Sequence, residues 1–183
     1  MITYRKAGPP DAAAVANLHA QSWRENYRGA FHDSFLDGDL PGERLGVWRE
    51  RLGHPSGNQF VQLALADAEL AGFVCAYGGY DPRWGSFIDN LHVAATFKGN
   101  GIGRGLMQEV GIWLASAHPN QGVHLVVLEG NTPAMGFYER IGGRCAEMVG
   151  METPYGAIVP SFRYVWGKPQ LLLEAVLQNR PGG

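Results

Sequence analysis

Between Ser86 and Ala117 the chain reads SFIDNLHVAATFKGNGIGRGLMQEVGIWLASA. An apolar strand-like run carrying Phe87, Ile88, Leu91 and Val93 gives way to a loop with glycines at 99, 101, 103 and 105, and then to a helical pattern. From Ile102 the apolar residues Leu106, Val110, Trp113, Leu114 and Ala117 follow at steps of four, four, three, one and three, which is one face of an α-helix. A glycine-rich loop at a strand-to-helix junction is a natural anion site. The first helical turn has amide N–H groups without intrahelical acceptors and the positive end of the helix dipole, and residues without Cβ let a ligand come close. The expected ligand is a phosphate or pyrophosphate.

Two common phosphate loops do not fit. A Walker loop needs Gly-Lys-Ser/Thr, whereas Gly103 is followed by Arg104 and Gly105; a dinucleotide fingerprint needs glycines at first, third and sixth places, where Arg104 or Leu106 stands instead. The spacing that does fit is Gln/Arg-x-x-Gly-x-Gly/Ala, here Lys98-Gly99-Asn100-Gly101-Ile102-Gly103 with Arg104 beside it. This resembles the acetyl-CoA loop of the GCN5-related N-acetyltransferases. Lys98 departs from the usual Gln or Arg and offers a point charge rather than a fork of donors.

Two further segments resemble the same family. Ser22-Trp23-Arg24-Glu25-Asn26-Tyr27-Arg28-Gly29 is similar to its first-helix pattern Ser-Trp-x-x-x-Tyr-x-Gly. Asn131-Thr132-Pro133-Ala134-Met135-Gly136-Phe137-Tyr138-Glu139-Arg140-Ile141-Gly142-Gly143 is similar to Asn-x-x-Ala-x-x-Phe-Tyr-x-x-x-Gly-Phe, with Gly143 in place of the aromatic. The three matches occur in family order between about residues 19 and 143. They imply an α/β (α+β) fold with a mixed, mostly antiparallel sheet of six to seven strands flanked by helices. Its parallel central strands, at Phe87 to Val93 and Val123 to Leu128, are expected to splay and admit the cofactor.

The rest of the chain is consistent with one such domain over residues 1–183. At 183 residues, with 45% hydrophobic and 17% charged residues, it can bury a sizeable core. A formal charge of −2 gives no global field for nucleic acid or an anionic membrane. Cys75 and Cys145, both in apolar-looking strand contexts, form neither a disulfide framework nor a metal-ligand spacing. The N-terminal MITYRKAGPPD lacks the pattern of a signal segment, and no run approaches the ~20 apolar residues of a membrane span. A cytoplasmic protein without a metal, nucleic acid or membrane partner is expected, and a homodimer is left open.

In order, Ile2 to Arg5 reads as a strand and Pro9-Pro10-Asp11 as the start of a helix reaching about Tyr27. Asp33 to Leu52 reads as helical, interrupted at Pro41-Gly42. Phe60–Leu65 and Leu70–Tyr77 read as a hairpin around Ala66-Asp67-Ala68-Glu69, with Tyr80–Gly85 as the loop into the central strand. Val123–Leu128 is a buried strand, and Asn131 or Thr132 caps a helix that ends at Gly142-Gly143. Arg144–Val149 and Ile158–Trp166 form a closing pair around Pro154-Tyr155-Gly156. A short helical extension at about 168–179 is expected to cover a core edge, with a partner contact as the alternative.

The chemistry follows from this layout. Pantetheine amides would pair with the backbone of Leu91, His92 and Val93 as an added strand does. The pyrophosphate would rest on Gly99, Asn100, Gly101, Ile102, Gly103 and Arg104, with Lys98 and Asn131 completing the cofactor set that the resemblance implies. An amine must attack the thioester as the neutral base, and deprotonating a lysine-like amine of pKa ~10.4 at pH 7 costs about 4.6 kcal/mol. Asp89 is the candidate proton acceptor, with His92 its competitor; strand alternation separates the two unless a bulge intervenes. Tyr138, by its motif position, is the candidate donor to the departing thiolate and a cofactor contact. Trp23 and Tyr27, four apart on one helix face, are the candidate acceptor contacts. The acceptor itself stays open among polyamines, aminoglycoside-like drugs, amino acids and protein N-termini. A non-catalytic acyl-CoA-binding sensor or partner subunit is the alternative to an enzyme.

Overall fold

Alternation of apolar residues and well-placed turn residues produce, in the computed structural model, a seven-stranded sheet with helices around it. The structure describes residues 1–178. In chain order the elements are β1 (Ile2–Lys6), α1 (Ala12–Asn26), α2 (Asp33–Leu36), α3 (Leu40–Gly53), β2 (Gln59–Ala66), β3 (Glu69–Asp81), β4 (Gly85–Val93), α4 (Ile102–Ala117), β5 (Val123–Leu128), α5 (Thr132–Arg140), β6 (Arg144–Glu152), β7 (Ile158–Trp166) and α6 (Pro169–Gln178). The strand order is β1-β2-β3-β4-β5-β7-β6. β4 and β5 are parallel, in register over Ser86↔Val123, Phe87↔His124 and Ile88↔Leu125. β1–β2, β5–β7 and β6–β7 are antiparallel.

Two compact units are distinguished along the chain. The first comprises Met1–Cys75 and Asn90–Leu106. Its core is built where α1 packs on α3, burying Val15, Leu36, Leu40, Trp48, Leu63, Phe73, Ile102 and Leu106. Gly72 shows how closely the layers approach: a Cβ there would lie 2.8 Å from the His92 carbonyl oxygen and 3.2 Å from Ile102. Only glycine fits that crossing.

The second unit comprises Ala76–Asp89 and the chain from Met107. Val110, Leu114, Val123, Leu125, Ile141, Tyr164 and Trp166 form its core. Helix α6 buries Leu172 and Val176 and leans on α4, where a Cβ at Gly111 would meet Leu173 at 2.7 Å. It therefore lies over a core edge; residue 179 of the expected extension lies outside the described residues.

Several sequence expectations change in detail. Pro41 and Gly42 do not interrupt a helix; they form the first turn of α3, where proline loses no helical bond and the Asp39 side chain accepts from the Gly42 N–H at 3.1 Å. The break falls earlier, at Asp37–Asp39. β3 continues to Asp81, shortening the loop before β4 to Pro82–Trp84. The β2–β3 turn has only Asp67 and Ala68 at its tip, both at positive φ, 46° and 74°. Cys75 is buried, but Cys145 is exposed on β6; neither is in a disulfide. The departure at Gly143 has a local cause: a Cβ there would be 2.8 Å from the Trp166 ring. That ring fills the space and donates its N–H to the Ile141 carbonyl at 2.8 Å.

Candidate active site

The glycine loop is the expected strand-to-helix junction. After β4, a single 3-10 turn at Ala95–Phe97 leads into Lys98 and the glycines, and α4 begins at Ile102. Gly99 and Gly101 hold φ of 84° and 75°, the left-handed region that residues with a Cβ enter at a cost of about 1–2 kcal/mol. At either position a Cβ would meet no atom within 4 Å, so the loop is open on that side. The first bond of α4 runs from Gly105 N–H to the Gly101 carbonyl at 3.0 Å, which leaves Ile102, Gly103 and Arg104 with amides that have no acceptor within the helix. Arg104 carries a buried Nη1 without a hydrogen-bond partner. A guanidinium carried on the first turn of α4, directly after Gly103, fits a polyanion. Lys98 extends toward Glu25 of α1, with Nζ 4.0 Å from the carboxylate, and Asn100 folds back onto the Phe97 carbonyl.

The expected acceptor contacts lie within the same unit. Trp23 stacks on Tyr27 with centroids 5.4 Å apart, and Phe31 closes edge-on against both. Trp23 is 8% exposed, so much of its ring is core. Helical spacing brings His19 and Ser22 to that side of α1 as well, and here the structure adds His19, Trp48 and Arg44, to which motif reading gave no role. Trp48 of α3 donates its N–H to His19 Nδ1 at 3.0 Å. Ser22 Oγ meets His92 Nδ1 at 2.7 Å, and Asn26 donates to the Ser22 carbonyl. The His19 and His92 rings lie 4.7 Å apart. Arg44 places its guanidinium 4.4 Å over the Trp23 ring and pairs with Glu43.

Burial, then the nearby positive charges of Arg44 and Lys98, pushes His92 down to about 3. His19 is held well below its ordinary value by burial, with His92, Arg44 and Arg51 adding to the effect. Both rings are neutral at pH 7. His92 is thus a weak proton acceptor, and its Nδ1 is engaged by Ser22. Because His19 Nδ1 accepts, its proton sits on Nε2, which is buried and has no partner; the Trp23 N–H is in the same condition. Buried orphans of this kind cost about 1–3 kcal/mol each.

On β4, Asn90 receives Arg51 of α3 at 2.9 Å and His92 receives Ser22, as two residues on one face of a strand should. Asp89, half-buried, belongs to the alternate set. Leu91 and Val93 are half-buried in the same strand.

In the second unit, Asn131 caps α5 by accepting the Ala134 N–H at 3.3 Å. Tyr138, 9% exposed, is fixed among the rings of Phe137, Tyr164 and Trp166. His124 of β5 accepts from Arg163 at 2.8 Å, and Arg163 also binds Glu147. Burial and the Arg163 charge lower His124 to about 4. Among the described residues no group of three metal-ligating side chains is arranged to hold an ion, and no helix is long and apolar enough to cross a membrane.

Comparison with known proteins gives the same direction. No curated protein matches the sequence. Solved structures do match in fold. One is an acetyltransferase of the GNAT family from Streptococcus pneumoniae, 21% identical, with a TM-score of 0.64 over 91% of this chain and 98% of the other. The PaiA N-acetyltransferase of Thermoplasma acidophilum, in complex with coenzyme A, is 17% identical with a TM-score of 0.64 over 88% and 98%. NAA60 of Arabidopsis thaliana, in complex with a bisubstrate analogue, is 20% identical with a TM-score of 0.66 over 91% and 97%. At these identities the likeness speaks for the fold alone. The sequence itself matches the model of the acetyltransferase (GNAT) family over residues 14–143, a stretch that holds the α1 aromatics, the glycine loop and the Asn131–Tyr138 helix. This chain is a member of the GNAT family of acetyltransferases.

Proposed function

We propose that the chain is a single N-acetyltransferase domain that moves an acetyl group from acetyl-CoA to a primary amine by direct attack within a ternary complex. The observation that carries this reading is the loop at 98–104: left-handed glycines with open space beside them, uncommitted helix amides and the buried, unpartnered Nη1 of Arg104. The relatives solved with coenzyme A or a bisubstrate analogue support the same cosubstrate. Lys98 and Arg104 supply charge to its phosphates, Gly99 to Gly103 supply amides, and Leu91 to Val93 supply strand pairing to the pantetheine arm. The thioester contributes an electrophilic carbonyl and a thiolate leaving group.

In this scheme Asp89, directly or through a water, takes the proton that the attacking nitrogen loses. Tyr138 gives a hydrogen bond or proton to the sulfur as the C–S bond breaks and the C–N bond forms. Asp89 is favoured over His92, whose basicity is lowered by burial and by the charges of Arg44 and Lys98. Trp23 and Tyr27 bound the acceptor.

The test is thiol release from acetyl-CoA across an amine panel, together with a thermal shift. At 100 times its Kd a ligand adds about 2.7 kcal/mol, several degrees for a domain of this size. A thermal shift with no thiol release on any amine would favour a sensor; no shift at all would remove the cofactor assignment.

A further inference from the structure

The donors left over around α1 describe what is missing from them. His19 is 1% exposed, and with Nδ1 taken by Trp48 its Nε2–H is buried and unpartnered. Trp23 stands four residues on, ring to ring with His19 at 4.6 Å, and its N–H is buried and unpartnered too. The two rings meet edge-on, a geometry that replaces a hydrogen bond only weakly. Arg44, 7% exposed, spends Nε and Nη2 on Glu43 and lies over the Trp23 ring. Its charge reaches both His19 and His92. The cluster therefore holds two idle donors beside a cation whose own carboxylate partner, Glu43, is taken up by Nε and Nη2, and neither idle donor has an oxygen acceptor.

We propose that His19, Trp23 and Arg44 receive a carboxylate of the acceptor, so that the enzyme's substrates are amino acids or similar amines that carry an acid group. This rests on the reading of the chain as an amine acetyltransferase. A carboxylate has about four lone-pair sites and a negative charge, which satisfies both donors and faces the guanidinium. Polyamines offer ammonium groups, which only donate, and aminoglycosides add neutral hydroxyl and ether acceptors without a negative charge to face Arg44. Neither matches the cluster as a carboxylate does. The aromatic neighbours Tyr27 and Phe31 make an aromatic amine a suitable probe.

The test uses the full chain with 15N-labelled indoles and matched probes: L-phenylalanine against phenethylamine, L-histidine against histamine, and L-lysine against cadaverine. The Trp23 N–H signal is assigned by its loss in Trp23→Phe. In the presence of coenzyme A, the acid-bearing member of at least one pair is expected to shift the Trp23 signal, while its decarboxylated partner leaves it in place and the Trp48 signal, already bonded to His19, moves less. In kinetics, Arg44→Gln should raise the KM for the acid-bearing amine about ten- to a hundredfold and that of the decarboxylated amine far less, whereas Trp23→Phe, which also alters a wall of the acceptor site, should raise both and the acid-bearing one more.

A Trp23 signal unmoved by every acid-bearing probe, with coenzyme A still raising the melting temperature, would overturn the subsite and leave an internal water as the partner of these donors. Equal shifts from both members of each pair would overturn it as well. The indole titration needs no turnover. Absence of a coenzyme A thermal shift would strike the enzymatic reading separately, while a carboxylate-specific Trp23 shift would still support the subsite.

Discussion

Ser22 Oγ and His92 Nδ1 lie 2.7 Å apart in the buried seam between α1 and β4. Burial, with the charges of Arg44 and Lys98, makes His92 a poor base near neutral pH, which is why the proposed mechanism gives the proton to Asp89. Asp89→Asn is therefore expected to lower turnover about a hundredfold at pH 7, within the usual range for a general base, and to recover as rising pH supplies neutral amine. His92→Gln should keep the parent's profile shape. A pH–rate profile for Asp89→Asn parallel to the parent's would remove Asp89 from the mechanism.

Tyr138 is held by three aromatic neighbours, so Tyr138→Phe keeps the packing and loses only the hydroxyl. Turnover should fall about ten- to a thousandfold with the acetyl-CoA Kd unchanged. Equal turnover would leave Tyr138 a packing residue.

Gly101 has room for a Cβ in the protein itself but sits at φ 75°. Gly101→Val should cost the fold only about 1–2 kcal/mol and yet abolish the acetyl-CoA thermal shift, because the branched side chain would stand in the phosphate cradle. Gly103→Val, in the first turn of α4, should do the same. A retained shift in both variants would displace the phosphate site from this loop.

The β2–β3 turn places Ala68 at φ 74°, a conformation suited to glycine in two-residue hairpins. Ala68→Gly relieves the left-handed strain and gives back part of the gain as unfolded-state entropy. A net stabilisation of about 0.5–1 kcal/mol is expected by urea unfolding, with activity unchanged. A loss of stability would contradict the turn geometry.

Acid should weaken the fold early. His19 and His92 bind protons less readily when folded than when unfolded, so the unfolded state takes up more protons below its own pKa near 6.5. The stability they protect is complete above about pH 6.5 and is lost as pH falls below it, at up to about 1.4 kcal/mol per pH unit for each ring. His124, lowered to about 4, acts in the same direction. Unfolding free energies measured from pH 7 to 5 should show this slope, and His92→Gln should flatten it. A level profile would mean that these rings are not buried neutral.

Much of this was legible in the chain before any coordinates. The period of α4 and the cap-and-glycine punctuation of α5 are local signals, and both helices lie where the sequence puts them. Pro41-Gly42 misled because the same pair can end one helix or open the next, and Asp39 decides between them. His19, Ser22 and Arg44 could not be assigned from the sequence, since their partners Trp48, His92 and Trp23 are brought to them by packing of α3 and β4 on α1. The only hint was that His19, Ser22 and Trp23 fall at helical spacing on one face. Nor does sequence alone reveal which buried N–H groups lack an acceptor.

The 4.0 Å approach of Lys98 to Glu25 joins the glycine loop, the proposed cofactor site, to the helix that carries Trp23. Both side chains are partly solvated, and such a pair is worth at most about 1 kcal/mol. A phosphate that draws Lys98 away from Glu25 can therefore change acceptor affinity through this bond by no more than about fivefold, and the acceptor must alter cofactor affinity by the same factor. A strictly compulsory order of addition cannot originate at this bond; it would have to be built elsewhere in the molecule.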